Sequence, residues 1–366
     1  MKPKLRFKEF SDEYVLSDLG KYLIQYKKTT NSNNQYPVLT SSRSGIFFQE
    51  DYFNRQVASK DNTGYNIVPR NYFTYRHMSD DTIFSFNINT LCDYGIVSTL
   101  YPVFTTNTEM NSNYLKEYLN NSKRFSEYCL LQKQGGSRTY MYFDKLKKFV
   151  GCFPSIQEQT KVSNFLSLID KKIDLQSKKI EDLKLYKLSK YSSVFSKTNN
   201  KIKLSDICII EKGKQINSDL LIEKGNYYML NGGILPSGYL NEYNTNENTV
   251  TISEGGNSCG YVNFNKTKFW CGGHCYKIIS PSVNTSYLYH LLKHNEKIIM
   301  DLRVGSGLPN IQKKDLETLK LSIHKNDEQL KIGILFETFD KKISLETNKL
   351  NKFQELKKAL MQNMFV

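Results

Sequence analysis

Basic and aromatic side chains interleave along Arg70, Tyr72, Tyr75 and Arg76, with Arg43 and Arg55 upstream of them. Guanidinium groups in such a setting can fork onto guanine edges or phosphate oxygens. In the second half of the chain Lys212, Lys214, Gln215, Asn231, Lys266 and Lys268 form the comparable candidate set. Arg138 and Arg303 flank two Gly-Ser elements, 135–138 and 305–307, which suits phosphate positioning. For any one of these residues an ordinary solvated side chain is the plain alternative. Cys259, Cys271, His274 and Cys275 raise the question of a metal. Tetrahedral zinc usually draws on spaced pairs such as Cys-x2-Cys, whereas His274 and Cys275 are adjacent and would diverge on a strand. The expectation is therefore buried thiols and no metal, with His274 at a strand end or on the same binding face as the basic candidates.

Charge agrees with a polyanionic partner. The 366 residues carry 51 Lys+Arg against 36 Asp+Glu, a formal charge of +15. An anionic membrane is the weaker candidate, because no segment approaches the roughly 18 apolar residues of a spanning helix. The opening MKPKLRFKEF lacks an apolar secretory region, so the cytoplasm is the expected location. Seven Cys in such a compartment predict reduced thiols rather than a disulfide framework. All eight Arg lie outside two long helix-forming segments, seven of them in the first 157 residues.

Those two segments are copies. Residues 158–196 align without a gap on 328–366, 170 positions later. Glu158, Gln159, Lys161, Asp170, Lys171, Lys172, Ile173, Leu175, Lys179, Lys187 and Phe195 recur as Glu328, Gln329, Lys331, Asp340, Lys341, Lys342, Ile343, Leu345, Lys349, Lys357 and Phe365. Steps of four and three meet Val162, Leu166, Ile169, Ile173, Ile180 and Leu183 in the first copy. In the second they meet Ile332, Phe336, Phe339, Ile343, Leu350 and Phe353. This is a coiled-coil seam. It is interrupted at matching places by Gln176 and Glu346, and by Lys187 and Lys357. Those polar slots either fix register or have rotated to solvent. Neither stripe can be buried alone, so the copies are expected to pair. An antiparallel pair would hold the preceding modules at its opposite ends. A 39-residue helix rises about 58 Å, the length of roughly 17 base pairs.

The modules ahead of the helices read as mostly β. In 249–279 short strands are broken at Gly255-Gly256, Asn265-Lys266 and Gly272-Gly273, and 85–107 has a related rhythm. Helical pieces over 114–131 and 286–302 follow, then the Gly-Ser elements, which also align at the offset of 170. The expected fold is α+β: two β-rich globular modules separated by an antiparallel coiled coil of two long helices, a pseudo-twofold tandem duplication. The expected domains are 1–153, 154–197, 198–323 and 324–366.

Catalytic signatures are missing. None of the eight Pro is followed by a second, as the base-holding loop of an adenine methyltransferase requires, and none precedes Asp, as a common nuclease cluster requires. No GxxxxGK[ST] phosphate loop is present.

The doubled order of β-rich module, Gly-Ser element, Phe153-Pro154, Glu-Gln and a helix with Asp-Lys-Lys-Ile resembles the specificity (S) subunit of type I restriction-modification systems. Further matching pieces are PKLRF-x-x-F at 3–10, Leu-Ser-Asp at 16–18 and 204–206, GIVSTLYPVF at 95–104, and TIS-x-GG with FW-x-GGHCY in 251–276. Two departures are His324 in place of a Pro and Tyr14 in place of a Trp. The resemblance implies a non-catalytic reader of double-stranded DNA. Each module would recognise one half of a split, asymmetric target, and the helices would set the spacing. Two methyltransferase subunits and translocase-nuclease (restriction) subunits are the implied partners. S-adenosylmethionine, ATP and Mg would be bound by those subunits and not by this chain. The alternatives are a related system with nuclease and methyltransferase in one polypeptide, or a coiled-coil scaffold whose modules bind RNA or protein.

Overall fold

A computed structural model of the chain describes residues 2–53, 59–133, 136–198, 200–305 and 307–365. It divides into two compact units, residues 1–175 with 350–366, and residues 176–349.

In the first unit an antiparallel sheet is ordered Leu23–Tyr26, Val103–Thr106, Phe73–Thr74, Asn87–Ile88. Its aromatic residues carry the core: Phe73 stacks on Phe104 at 4.6 Å, and Tyr75 packs on Phe86 at 4.5 Å. Helices Ser112–Asn121 and Lys123–Leu131 cover this core. They form two pieces rather than the single stretch expected, because the Ser122 side chain accepts from the Phe125 N–H and starts a new helix. Val15–Asp18 then pairs antiparallel with Val150–Phe153, directly ahead of the long helix Ile156–Phe195.

The second unit repeats the plan. Its main antiparallel sheet is ordered Ile209–Lys212, Cys275–Ile279, Thr249–Ser253, Val262–Asn265. The strand breaks fall at the glycine pairs and at Asn265-Lys266, where the sequence places them. A smaller sheet of Gly238–Leu240, Tyr227–Leu230 and Trp270–Cys271 contains one parallel pair. Helices Thr285–His294 and Glu296–Asp301 follow. Lys201–Lys203 pairs with Lys320–Ser322 ahead of the second long helix, Asn326–Met364.

Each unit contains an antiparallel length of the helix seam. In the first, Val162, Leu166 and Ile169 are buried with Met364 and Phe365, and Ile173, Leu360 and Met361 pack against them. Leu350 and Phe353 are half-buried on the same stripe. In the second, Tyr191, Phe195 and Phe336 form the buried centre, with Ile332 and Phe339 alongside. Ile180 is buried, and Leu183 and Ile343 are half-buried.

The polar seam slots face the partner helix. In the second unit the Gln176 amide donates to the Glu346 carbonyl oxygen at 2.9 Å and to its Oε2 at 2.7 Å, while Lys179 Nζ reaches Oε1 at 2.9 Å. Gln176 first, then Lys179 and Lys349, hold the Glu346 carboxyl down at about 2 against its desolvation. Lys187 pairs with Asp340 in the second unit, and Lys357 with Asp170 at 2.6 Å in the first. These two ion pairs are the same pair generated twice by the duplication.

The recurring Glu-Gln also has a cause. Gln159 Nε2 donates to the Pro154 carbonyl at 3.0 Å, and Gln329 Nε2 donates to that of His324 at 3.0 Å, closing the strand-to-helix turn in each unit. At the first of these turns proline has no N–H. At the second, the His324 N–H donates to Tyr287 Oη at 2.9 Å, and its Nδ1 lies 3.0 Å from the same oxygen. Tyr114 stands where Tyr287 does, three residues after an Asn helix cap, and its buried hydroxyl has no hydrogen-bond partner among the described residues.

Candidate nucleic-acid interface

In the first unit Arg43 and Arg76, both exposed, line a cleft of about 330 Å³ with Tyr52, Asp80, Phe84 and Tyr101. Arg43 pairs with Asp81, and Arg138 Nε meets Asp80 Oδ1 at 3.0 Å, so three expected residues gather around one acidic turn. The Arg43 guanidinium, then the Ser79 hydroxyl, hold the Asp81 carboxyl below its usual range. Arg70 belongs to another loop, bonding Asp93 Oδ1 at 2.9 Å and the Thr90 carbonyl at 2.8 Å. Each carboxylate aims a guanidinium. Exposed pairs of this kind contribute little, about 0 to 1 kcal/mol, so a phosphate can take the carboxylate's place.

Two expected residues are placed otherwise. Tyr75 is fully buried, and its hydroxyl donates to the Met141 carbonyl at 2.9 Å, so it is a core residue and not a surface contact. Its neighbour Arg76 is exposed, whereas Phe73, Thr74 and Tyr75 are buried in succession. Tyr72 is half-buried, edge-on to Tyr26 at 5.2 Å. Arg55, Gly135 and Ser306 lie outside the described residues.

In the second unit the loop Gly272–His274 gathers five candidates. Lys214 donates its N–H to the Cys271 carbonyl at 2.9 Å, and its own carbonyl accepts from Trp270 Nε1 at 2.9 Å. Gln215 packs over Gly273, and Asn231 Oδ1 accepts the His274 N–H at 3.0 Å. Gly232 makes the close approach possible: its φ is +84°, and a Cβ there would stand 2.9 Å from the His274 carbonyl oxygen. Beneath them lies Glu254, 6% exposed, which the sequence did not single out. Its Oε1 takes Lys212 Nζ at 2.6 Å and the Tyr276 hydroxyl at 3.2 Å, and its Oε2 lies 3.5 Å from His274 Nδ1. The only sequence signal for it is its place as the variable residue of TIS-x-GG.

Three candidates stand apart from this loop. Lys268 lies over the Tyr243 ring at 4.5 Å, Lys266 lines a separate cleft with Tyr289 and Asp340, and Arg303 is exposed beside Gly305. The cysteines do not converge. The Cys259 thiol donates to the Glu254 carbonyl at 3.0 Å, that of Cys271 to the Cys275 carbonyl at 3.6 Å, and exposed His274 turns to Glu254. Burial pushes the Cys259 thiol up, and for Cys271 the hydrogen bond with Cys275 leads, followed by burial. Among the described residues all seven cysteines are free, and no group of three or more His, Cys, Asp or Glu could hold a metal ion. No helix among them is long and apolar enough to cross a membrane.

Two α+β units, each with a cluster of exposed basic residues and a copy of one long helix, define a duplicated α+β fold. Residues 196–355 match the family described as the type I restriction modification DNA specificity domain. The chain is similar to a putative type I specificity subunit of Mycoplasma pneumoniae, 33% identical over 161 residues, which are 43% of this chain and 42% of the relative. It is also similar to one of Mycoplasma genitalium, 31% identical over 138 residues, 37% and 36% of the two chains. These alignments span well under two thirds of the relatives' own length. The fold is that of the type I restriction-modification S subunit from M. genitalium, with a TM-score of 0.64, 18% identity, and coverage of 100% of this chain and 99% of that one. A chain from a structure on assembly of the type I restriction-modification system gives a TM-score of 0.59 at 14% identity, covering 98% of each. The resemblance to type I specificity subunits read from the sequence is thereby borne out.

Proposed function

We propose that this chain is the DNA-reading subunit of a type I restriction-modification complex. The module within residues 1–153 reads one half of a split, asymmetric target, the module within 198–323 reads the other, and the helical segments 154–197 and 324–366 set the distance between the half-sites. Two methyltransferase subunits dock on the chain and restriction subunits join them. S-adenosylmethionine, ATP and Mg act on those partners, in the cytoplasm, and this chain performs no bond chemistry. The observation that carries the reading is the repetition itself: two dissimilar modules, each with displaceable basic side chains at its surface, are followed by copies of one helix. Base-edge contacts are assigned to the cluster of Arg43, Arg76 and Arg138 and to the loop carrying Lys212, Gln215, Asn231 and His274.

Genome-wide mapping of methylated adenines, with and without this chain, tests the proposal. Expected is one bipartite motif that disappears with the chain. An unchanged methylation pattern would sink it.

A further inference from the structure

The two starts of the repeated helix are chemically alike but differently covered. In the first unit the segment before Val15 lies across the helix start. Arg6 forks both oxygens of Glu158, Nε to Oε1 and Nη2 to Oε2, each at 2.8 Å, and Tyr14 donates to Oε1 at 3.0 Å. Phe7 meets Phe165 edge-on at 5.6 Å, with the Lys161 ammonium 5.0 Å over its ring, and Lys161 also pairs with Glu9. The Leu5 N–H bonds the Asn363 carbonyl at 2.9 Å. Glu158 is left 1% exposed.

At the offset of 170 the second unit has Glu328, Lys331 and Leu335 in place of Glu158, Lys161 and Phe165. Here Glu328 and Lys331 are exposed, and Leu335 is 40% exposed. Glu328, Lys331 and Ile332 line a cleft of about 690 Å³ with Val194, Lys197 and Lys325. That volume lies within the usual range of ligand sites, about 300 to 1,000 Å³.

We propose that this cleft docks an extended polypeptide segment of a partner protein, one with arginine next to an aromatic residue and carboxylates following. Its chemistry is that of Leu5–Tyr14, which fills the duplicated position in the first unit. The arginine would fork Glu328, the aromatic ring would lie on Ile332 and Leu335 beside the Lys331 ammonium, and the carboxylates would meet Lys325 and Lys197. The chain's own copy of such a segment is already engaged on Glu158, so the occupant comes from another protein. The inference is independent of the DNA-reading proposal.

The probe is a fluorescently labelled peptide with the sequence of residues 2–14, titrated by anisotropy into the full-length chain. Expected is saturable one-to-one binding that weakens at least about tenfold with Glu328→Lys or Leu335→Asp, a loss in keeping with removal of a forked charged pair or of its apolar seat. The same loss is expected when the peptide itself carries Arg6→Ala or Phe7→Ala, a readout that does not depend on how a variant chain folds. Absence of binding, or binding indifferent to both Glu328→Lys and Leu335→Asp, overturns the proposal. So does binding that appears only after residues 2–14 are deleted from the chain, because the peptide would then be re-entering the first unit's groove.

Discussion

Tyr114 and Tyr287 occupy equivalent places, yet one hydroxyl is orphaned and the other is shared with His324. A buried hydroxyl without a partner costs stability, and a buried donor or acceptor deprived of its partner costs about 1 to 3 kcal/mol. Tyr114→Phe is therefore expected to leave stability unchanged or raise it, and Tyr287→Phe to lower it by about 1 to 3 kcal/mol. Urea unfolding of the two variants should give these opposite outcomes. His290 supplies a second prediction. It is 1% exposed, its Nδ1 lies 2.8 Å from Tyr191 Oη, and burial, then Lys187, hold its pKa down at about 3. The folded pKa lies below the unfolded value, so the stabilising contribution is whole above about pH 6.5 and is lost as pH falls toward 3. Between pH 7 and 5 the loss is about 2 kcal/mol, from 1.36 kcal/mol per pH unit below the unfolded pKa. Thermal melts of wild type should fall more steeply over this interval than those of His290→Gln, whose side chain does not titrate.

At the scale of elements, the seam was legible because apolar residues fill the 3.5-residue repeat from Val162 to Leu183 and from Ile332 to Phe353 at every slot but Gln176 and Glu346. The strands around Gly255, Asn265 and Gly272 were legible because turn residues punctuate them. The orientation of Gln176 and Lys187 was not, since a helical repeat alone does not say whether a polar slot faces a partner or water. Tertiary pairing decides it: Glu346 and Asp340 are the groups that meet them. The carboxylates aiming the arginines were also hidden, because Asp81 lies 38 residues from Arg43 and Asp80 lies 58 from Arg138. The burial of Tyr75 was hidden because Phe73, Thr74 and Tyr75 are buried in succession, at and just past the end of a two-residue strand, and show no alternation. A heptad added to the first helix alone would slide Lys187 past Asp340. A heptad added to both helices, after Gln176 and after Glu346, is expected to keep the seam and lengthen the preferred half-site separation by about 3 base pairs, from a rise of about 10 Å. Methylation mapping of that variant checks it, and unchanged spacing would count against the helices as spacer.

For the whole molecule, modularity makes a further demand. Replacing residues 1–150 with those of a relative is expected to change one half of the methylated motif and leave the other half intact. A change in both halves would contradict the division of labour between the units.

Each seam ion pair draws its ammonium from one helix copy and its carboxylate from the other: Lys187 with Asp340, Lys357 with Asp170. A genetic crossover between matching points of the two helix-coding stretches would splice like onto like. Every hybrid helix would still carry Asp and Lys at the required places, so these two ion pairs would survive an exchange of modules between such genes.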